Sequence, residues 1–435
     1  MSGPGECVFM AFRTAACYVK RCERGHRSHG ACGADAQMRD RLLIFASAGL
    51  RATAVGLSGV IVALYLATLD FNASAVGVAI SLGLAGCAVG TFAVTAVADR
   101  WGRRTTLVTL VLVMAAGGGM LAWAPQPAVI MLSVFVGMLN GMGRDRGAGL
   151  TVEQAMLPRT TSEASRTRTF AWYNVVVDAG HALGSLLGGL PAFLRIQAGV
   201  VGLDSYRWTW MGYSGLCLAA ALCALRLSRA VELDGLGAPS PLSPPSRRVV
   251  AKFAALSGLD SLGGGFLTTA LVGYWFFRRF GVDEALLGPL FFVVRILNGL
   301  SHLGAAWLAQ RIGLVNTMVW THLPSSLLLM TVPFAPTLPI AIAVFLVREA
   351  LVEMDVPTRQ SYIVAVVKDE ERTRAAGISN ATRSVAWAVA PAVAGSLMRS
   401  VSLAAPLLVG PGLKILYDLL LYRAFRHIKP PEERR

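Results

Sequence analysis

Asp178 and His181 stand three residues apart with Asn174 one turn before them, so on a helix the three share a face. A carboxylate beside an imidazole can take up and release a proton near neutral pH. Arg383 shares a helical face with Asn380 and Trp387 in the same way, a polar and aromatic lining for a cavity. Arg51, Asp260 and Arg295 each lie deep inside a long apolar run. If those runs cross a bilayer, a charge in one costs about 2.5–3.5 kcal/mol, which marks all of these residues for a substrate or proton pathway. Enzyme chemistry has no such footing. We find no nucleophile with its base, no ligand cluster with metal spacing and no Walker-type phosphate loop, so neither an enzyme, a cofactor, a metal site nor direct use of ATP is expected.

The elements that must carry these side chains are membrane helices. Of 435 residues 54% are hydrophobic and 15% charged, where a soluble domain has about 25% charged. Lys+Arg number 40 against 25 Asp+Glu, a net charge of +15, but the basic residues cluster between apolar runs rather than forming a nucleic-acid surface. A bilayer core of ~30 Å takes about 20 helical residues. Twelve such runs occur, at 42–68, 75–98, 105–123, 127–143, 170–192, 208–227, 250–277, 285–309, 314–333, 337–356, 374–398 and 402–424. The expected fold class is an all-α integral membrane protein with twelve transmembrane helices. The basic segments around Arg39, Arg100, Arg144 to Arg168, Arg247 and Lys368, with the tail from Arg423, fall on alternate loops and put both termini in the cytoplasm. Residues 1–40 form an extension without an apolar stretch, expected to be disordered, or upstream sequence ahead of a start at Met38. Its Cys22, His26, His29 and Cys32 match no zinc spacing.

The chain also repeats itself. Glu153-Gln154, Arg166-Thr167-Arg168, Asn174 and Gly189 recur as Arg359-Gln360, Arg372-Thr373-Arg374, Asn380 and Gly395, all at an offset of 206. Gly49-Leu50-Arg51 recurs as Gly258-Leu259-Asp260 at 209. Residues 41–228 and 250–425 are therefore two copies of a six-helix half, joined by a Pro/Ser linker at 229–249 and followed by a basic tail at 426–435. Two like halves around a central site is the plan of an alternating-access carrier. Arg51 and Asp260, at equivalent places in the two halves, are opposite charges that could neutralise each other when the site is empty. Lys414 and Asp418 read as a local i, i+4 pair, and His322 as a satisfied polar group.

Asp99-Arg100-Trp101-Gly102-Arg103-Arg104, between the second and third runs, resembles the loop signature of the major facilitator superfamily. That resemblance implies two pseudo-symmetric halves, a cavity lined by spans 1 and 7, and packing of span 5 on span 8, which makes Arg295 a rival partner for Asp178. It also implies that Asp99 with Arg100, Arg103 and Arg104 latches the halves together in the outward-open state, with Gly102 making the tight reversal. The sequence departs at Thr95, where the family has Gly, and at Gln310, which replaces the acid in the second copy. Gly180, Gly184, Gly188 and Gly189 in span 5 resemble the glycine motif of the drug:proton antiporter branch, with Ser185 in place of Pro. Glycines four apart also let helices pack closely whatever is carried. The arginine those antiporters carry in span 4 is Gly137 here. Taken together, the expectation is a monomeric secondary transporter of the plasma membrane, exporting a small organic solute in exchange for protons. Its halves would rock around a cavity lined by Arg51, Asp178, Asp260 and Arg383. Uptake or facilitated diffusion of a metabolite is the alternative, and a non-transporting receptor or scaffold a lesser one.

Overall fold

The computed structural model describes residues 29–123, 126–145, 147–162, 165–232, 243–356, 358–359 and 371–425. Among them there is no strand. The first half comprises α1 (His29–Thr68), α2 (Ala73–Trp101), α3 (Arg103–Trp123), α4 (Pro127–Val136), α5 (Ala148–Met156), α6 (Arg166–Leu187), α7 (Leu190–Ala198) and α8 (Gly202–Leu225). The second comprises α9 (Pro244–Gly265), α10 (Thr269–Phe280), α11 (Glu284–Ile312), α12 (Leu314–Thr331), α13 (Leu338–Val352), α14 (Arg372–Ser400) and α15 (Ala405–Phe425). Among the described residues seven stretches are long and apolar enough to cross a membrane: α1, α2, α3, α6 with α7, α8, α11 and α15. The first helix starts at His29, well ahead of the apolar run expected from residue 42. Cys22 and His26 lie outside the described residues, as does residues 233–242 of the linker.

Two of the expected continuous spans are broken. The run at 127–143 is helical for ten residues only, to Val136, and the backbone of Gly137 to Asp145 and of Gly147 is not helical, α5 beginning at Ala148. Four glycines in that segment withdraw helical support, and it turns through left-handed backbone at Met138 (φ +52°) and Gly143 (φ +62°). The run at 250–277 breaks after Gly263-Gly264-Gly265, and Thr268 restarts it by accepting the Leu271 N–H at 3.3 Å.

A break in apolar surroundings is tolerable only if its backbone groups find partners. Here each break supplies the other: Ala270 N–H donates to Gly141 O at 2.9 Å. The Thr269 hydroxyl donates to Met142 O at 2.8 Å, and so does Arg295 Nη2 from α11 at 3.0 Å. The unwound segment of the first half is thus stitched to the break in the second.

The halves also meet at the end of the molecule that carries the α1–α2 turn. A Cβ on Gly77 would sit 2.3 Å from Pro391 O, and one on Gly288 would sit 2.8 Å from Gly189 N, so α2 packs on α14 and α6 on α11 backbone to backbone. Arg195 and Glu284 close an ion pair between the halves there, at 2.9 Å.

Candidate functional site

Among the described residues, each half holds a buried ion cluster around the first helix of the half. In the first, Arg51 of α1 donates from Nε to Glu153 Oε1 at 3.2 Å and from Nη2 to Glu153 Oε2 at 2.5 Å, a bidentate pair. Arg51 also pairs with Asp145. Tyr173 adds its hydroxyl to Glu153 Oε2 at 2.7 Å. Arg51 is 1% exposed and Glu153 0%. Asp145 belongs to the unwound segment, and its N–H donates to His181 Nε2 of α6 at 2.9 Å. A ring nitrogen that accepts carries no proton, so His181 is the neutral Nδ1–H tautomer.

In the second half Asp260 of α9 takes Arg359 Nη1 at 2.9 Å and Lys414 Nζ at 2.8 Å. Asp355 takes the same Arg359 nitrogen at 2.6 Å. Lys414 Nζ then reaches His322 Nε2 at 3.2 Å, and His322 Nδ1 lies 3.0 Å from Asp418. The expected local Lys414–Asp418 pair is therefore a relay through His322, which is satisfied as expected. The ligand atoms of Asp260, His322 and Asp355 lie within 4.8 Å of one another. A divalent cation there would face both Arg359 and Lys414, so this is an ion-pair network and not a metal site.

The second cluster lines a cavity of about 110 Å³. Its wall is mostly the second half: Asp260, Arg295, Arg359, Arg383, Trp387 and Lys414 line it, with Phe291 and Phe345 on its apolar side. Met142 and Arg144 of the unwound segment close it from the first half. Arg144 pairs across the halves with Glu353 at 2.6 Å and donates to Asn298 Oδ1 at 2.8 Å. Arg383 stacks its guanidinium 4.7 Å from the Trp387 ring centre.

The sequence-derived set divides accordingly. Asp260, Arg295, Arg383 and Trp387 come together on the cavity wall. Arg51 does not reach it: Arg51 pairs with Glu153 and Asp145, and Asp260 with Arg359 and Lys414, so Arg51 and Asp260 are not partners. Asp178 is not paired with Arg295, whose hydrogen bonds go to Met142 O and Thr269 Oγ1. Asp178 instead lies 3.9 Å from His181 Nδ1 with its side chain 56% exposed. Asn174 and Asn380 are exposed on their helices. Arg348 and Glu349 are buried against each other and against Asn298.

The described contacts of the signature loop reach the first half and the start of the linker. Gly102 turns at φ +88°, and the N–H groups of Arg103 and Arg104 donate to Glu232 at 2.6 and 3.1 Å, an anion on the N-terminus of α3. Arg103 Nη1 donates to Ala155 O at 2.6 Å and Arg104 Nη2 to Leu225 O at 2.5 Å. Arg100 is exposed, and the side chain of Asp99 is outside the described residues. The glycine motif of span 5 has a packing role: a Cβ on Gly184 would meet Thr53 O at 2.0 Å and one on Gly180 would meet Gly49 O at 2.6 Å, so α6 lies directly on α1. Gly188 meets Val60 in the same way, and Gly189 faces Glu284 of α11.

The Major Facilitator Superfamily model matches the chain at residues 44–347 and 253–435. An uncharacterized membrane protein of Saccharomyces cerevisiae, YJR124C, is 25% identical over 417 residues, covering 88% of this chain and 93% of its own. Among solved structures, the nucleoside transporter NupG superposes with a TM-score of 0.67 at 13% identity, over 90% of this chain and 99% of its own. A D-xylose-proton symporter superposes with a TM-score of 0.69 at 13% identity, over 89% of this chain and 97% of its own. The protein belongs to the major facilitator superfamily of membrane transporters.

Proposed function

We propose that this chain is a proton-coupled secondary transporter that exports a small organic solute by alternating access, a carrier rather than an enzyme. The observation that carries the reading is the junction of the two helix breaks. Ala270 N–H on Gly141 O joins the halves beside a cavity lined by buried charges, the arrangement in which carriers hold substrate near the midplane. Counting α4 with α5, α6 with α7 and α9 with α10 as one crossing each brings the fifteen helices to twelve spans, and the basic loop residues favour both termini in the cytoplasm; the reading takes the carrier as a monomer of the plasma membrane. On that orientation the glycine packing closes the extracytoplasmic side, and the cavity is poised for cytoplasmic access.

Proton coupling enters at Asp178 and His181. Protonating His181 turns Nε2 into a donor and removes the bond that holds the Asp145 N–H, so the unwound segment is released from α6. Asp178, exposed beside it, is the group that delivers the proton. Solute flux in proteoliposomes under an imposed pH gradient tests this: Asp178→Asn and Asp260→Asn should each lose flux, and Asp178→Asn should lose its pH dependence. Variants that transport like wild type with the same pH profile would remove the reading.

Uptake is the second reading. Gly137 stands where drug:proton antiporters have an arginine, and the solved structures of similar fold include a D-xylose-proton symporter. The sign of the solute gradient that the pH gradient builds separates the two.

A further inference from the structure

We infer that the cavity binds a small organic anion, whose carboxylate or phosphate group seats on Arg295. This rests on the transporter reading above and names its substrate class. Arg295 is 9% exposed, and both of its hydrogen bonds, to Met142 O and Thr269 Oγ1, use Nη2 and neutral oxygens. Its Nε has no hydrogen-bond partner, and no carboxylate lies within 4 Å of it among the described residues. A buried guanidinium without a counter-charge is costly, and a bound anion supplies what the fold withholds.

The acidic groups of the cavity are already committed. Arg359 holds Asp260 and Asp355, Lys414 shares Asp260, Arg348 and Asn298 hold Glu349, and Arg144 holds Glu353. Six basic side chains face four acidic ones around the space, an excess of two positive charges with Arg295 as the cation lacking an acid. A cationic solute would find no carboxylate to receive it, and a neutral one would leave Arg295 as it is. At about 110 Å³ the space fits a small molecule, and Phe291, Phe345 and Trp387 offer apolar and aromatic surface to its organic part. Arg295 also ties the two helix breaks together. An anion that draws on its guanidinium therefore acts on the contact that joins the halves, so occupancy and conformation are linked at one residue.

The test compares probes that differ in charge and little in shape, on the purified full-length protein. Benzoate and phenyl phosphate at ~10 mM should raise the unfolding temperature, while benzamide and benzylamine should not. The phosphate and carboxylate probes separate the two anion types. Arg295→Gln should weaken binding of the stabilising anion about ten- to a hundredfold, and Arg295→Lys, which keeps the charge, should weaken it less and carries the test if the glutamine variant does not fold. Equal stabilisation by benzamide or benzylamine, an unchanged response in both Arg295 variants, or no response to either anion would overturn the inference. Flux of the same probes into proteoliposomes is measured separately. Movement of a neutral probe alone would leave the transporter reading standing and the anion inference overturned, and anion binding without flux of any probe would do the reverse.

Discussion

Arg51 and Glu153 form in the first half the ion pair that Asp260 and Arg359 form in the second, with the charges exchanged between the helices. The arginine is on α1 in one copy and follows α13 in the other, and the acid changes place with it. The two pairs sit at equivalent positions of the repeat, 209 residues apart on one side and 206 on the other. What the duplicated halves share here is the bond and not the residue types.

This relationship makes a prediction about the first half. Glu153→Gln leaves the buried Arg51 with Asp145 as its remaining acid and breaks the bidentate pair, and should cost on the order of 1–3 kcal/mol of stability. The exchanged double variant Arg51→Asp with Glu153→Arg copies the second half's polarity and should recover much of that loss. Thermal unfolding of the purified variants in detergent measures both, and a double variant no better than the single one would show that the polarity is not interchangeable.

A second prediction concerns the unwound segment. Gly143 holds φ +62°, and a Cβ on it would lie 2.9 Å from the Arg295 guanidinium. Gly143→Ala should therefore cost about 1–3 kcal/mol and disturb the joint between the helix breaks. Gly212→Ala, where nothing lies within 4 Å of the added methyl, is the control and should be nearly silent in the same melting experiment.

His181 supplies a prediction about pH. Its Nε2 accepts the Asp145 N–H only while unprotonated, so the contact holds above the imidazole's titration and is lost as pH falls through it. Wild-type stability measured from about pH 8 to 5.5 should fall more steeply than that of His181→Gln, whose amide oxygen accepts at every pH. Parallel curves would mean that the imidazole bond is not what responds to protons.

Closure at the end carrying the α1–α2 turn depends on glycine contacts. A side chain on Gly288 has no room, because its Cβ would meet Gly189 N at 2.8 Å. Gly288→Val should hold that end apart, leaving the protein folded but with flux reduced at least about tenfold, since a carrier locked in one state cannot cycle. Thiol labelling of single cysteines placed on facing positions of α6 and α11 reports the opening, and unchanged labelling with wild-type flux would contradict it.

Helical class and the family were legible because apolar run length and the signature loop are local signals. The broken helices were not. Gly137, Gly141 and Gly143 lie in an apolar run that hydropathy reads as continuous, and the break exists because Thr269, Ala270 and Arg295 from the other half satisfy its backbone. Asp260 and Arg295 were found as cavity residues by depth in an apolar run, and Arg383 with Trp387 by a shared helical face, but Arg51 by the depth rule was placed on the cavity as well. Its partners, Glu153 and Asp145, lie about a hundred residues away, and periodicity carries no information about them. The repeat offsets did hold the missing signal: pairing Arg51 with Asp260 and Glu153 with Arg359 gives two opposite-charge pairs at once. Glu232, which holds the start of α3, had no motif to announce it.

The central claim is that the charged cavity between the helix breaks carries solute across the membrane. It is tested most directly by loading proteoliposomes with a mixed panel of small metabolites and measuring by mass spectrometry what wild-type protein releases under a pH gradient, against Asp260→Asn, which frees Arg359 and Lys414 of their shared acid. The account predicts that wild type depletes at least one solute and that the variant retains it. A wild type that releases nothing beyond protein-free vesicles, or a variant that releases the same solute as fast, would contradict it.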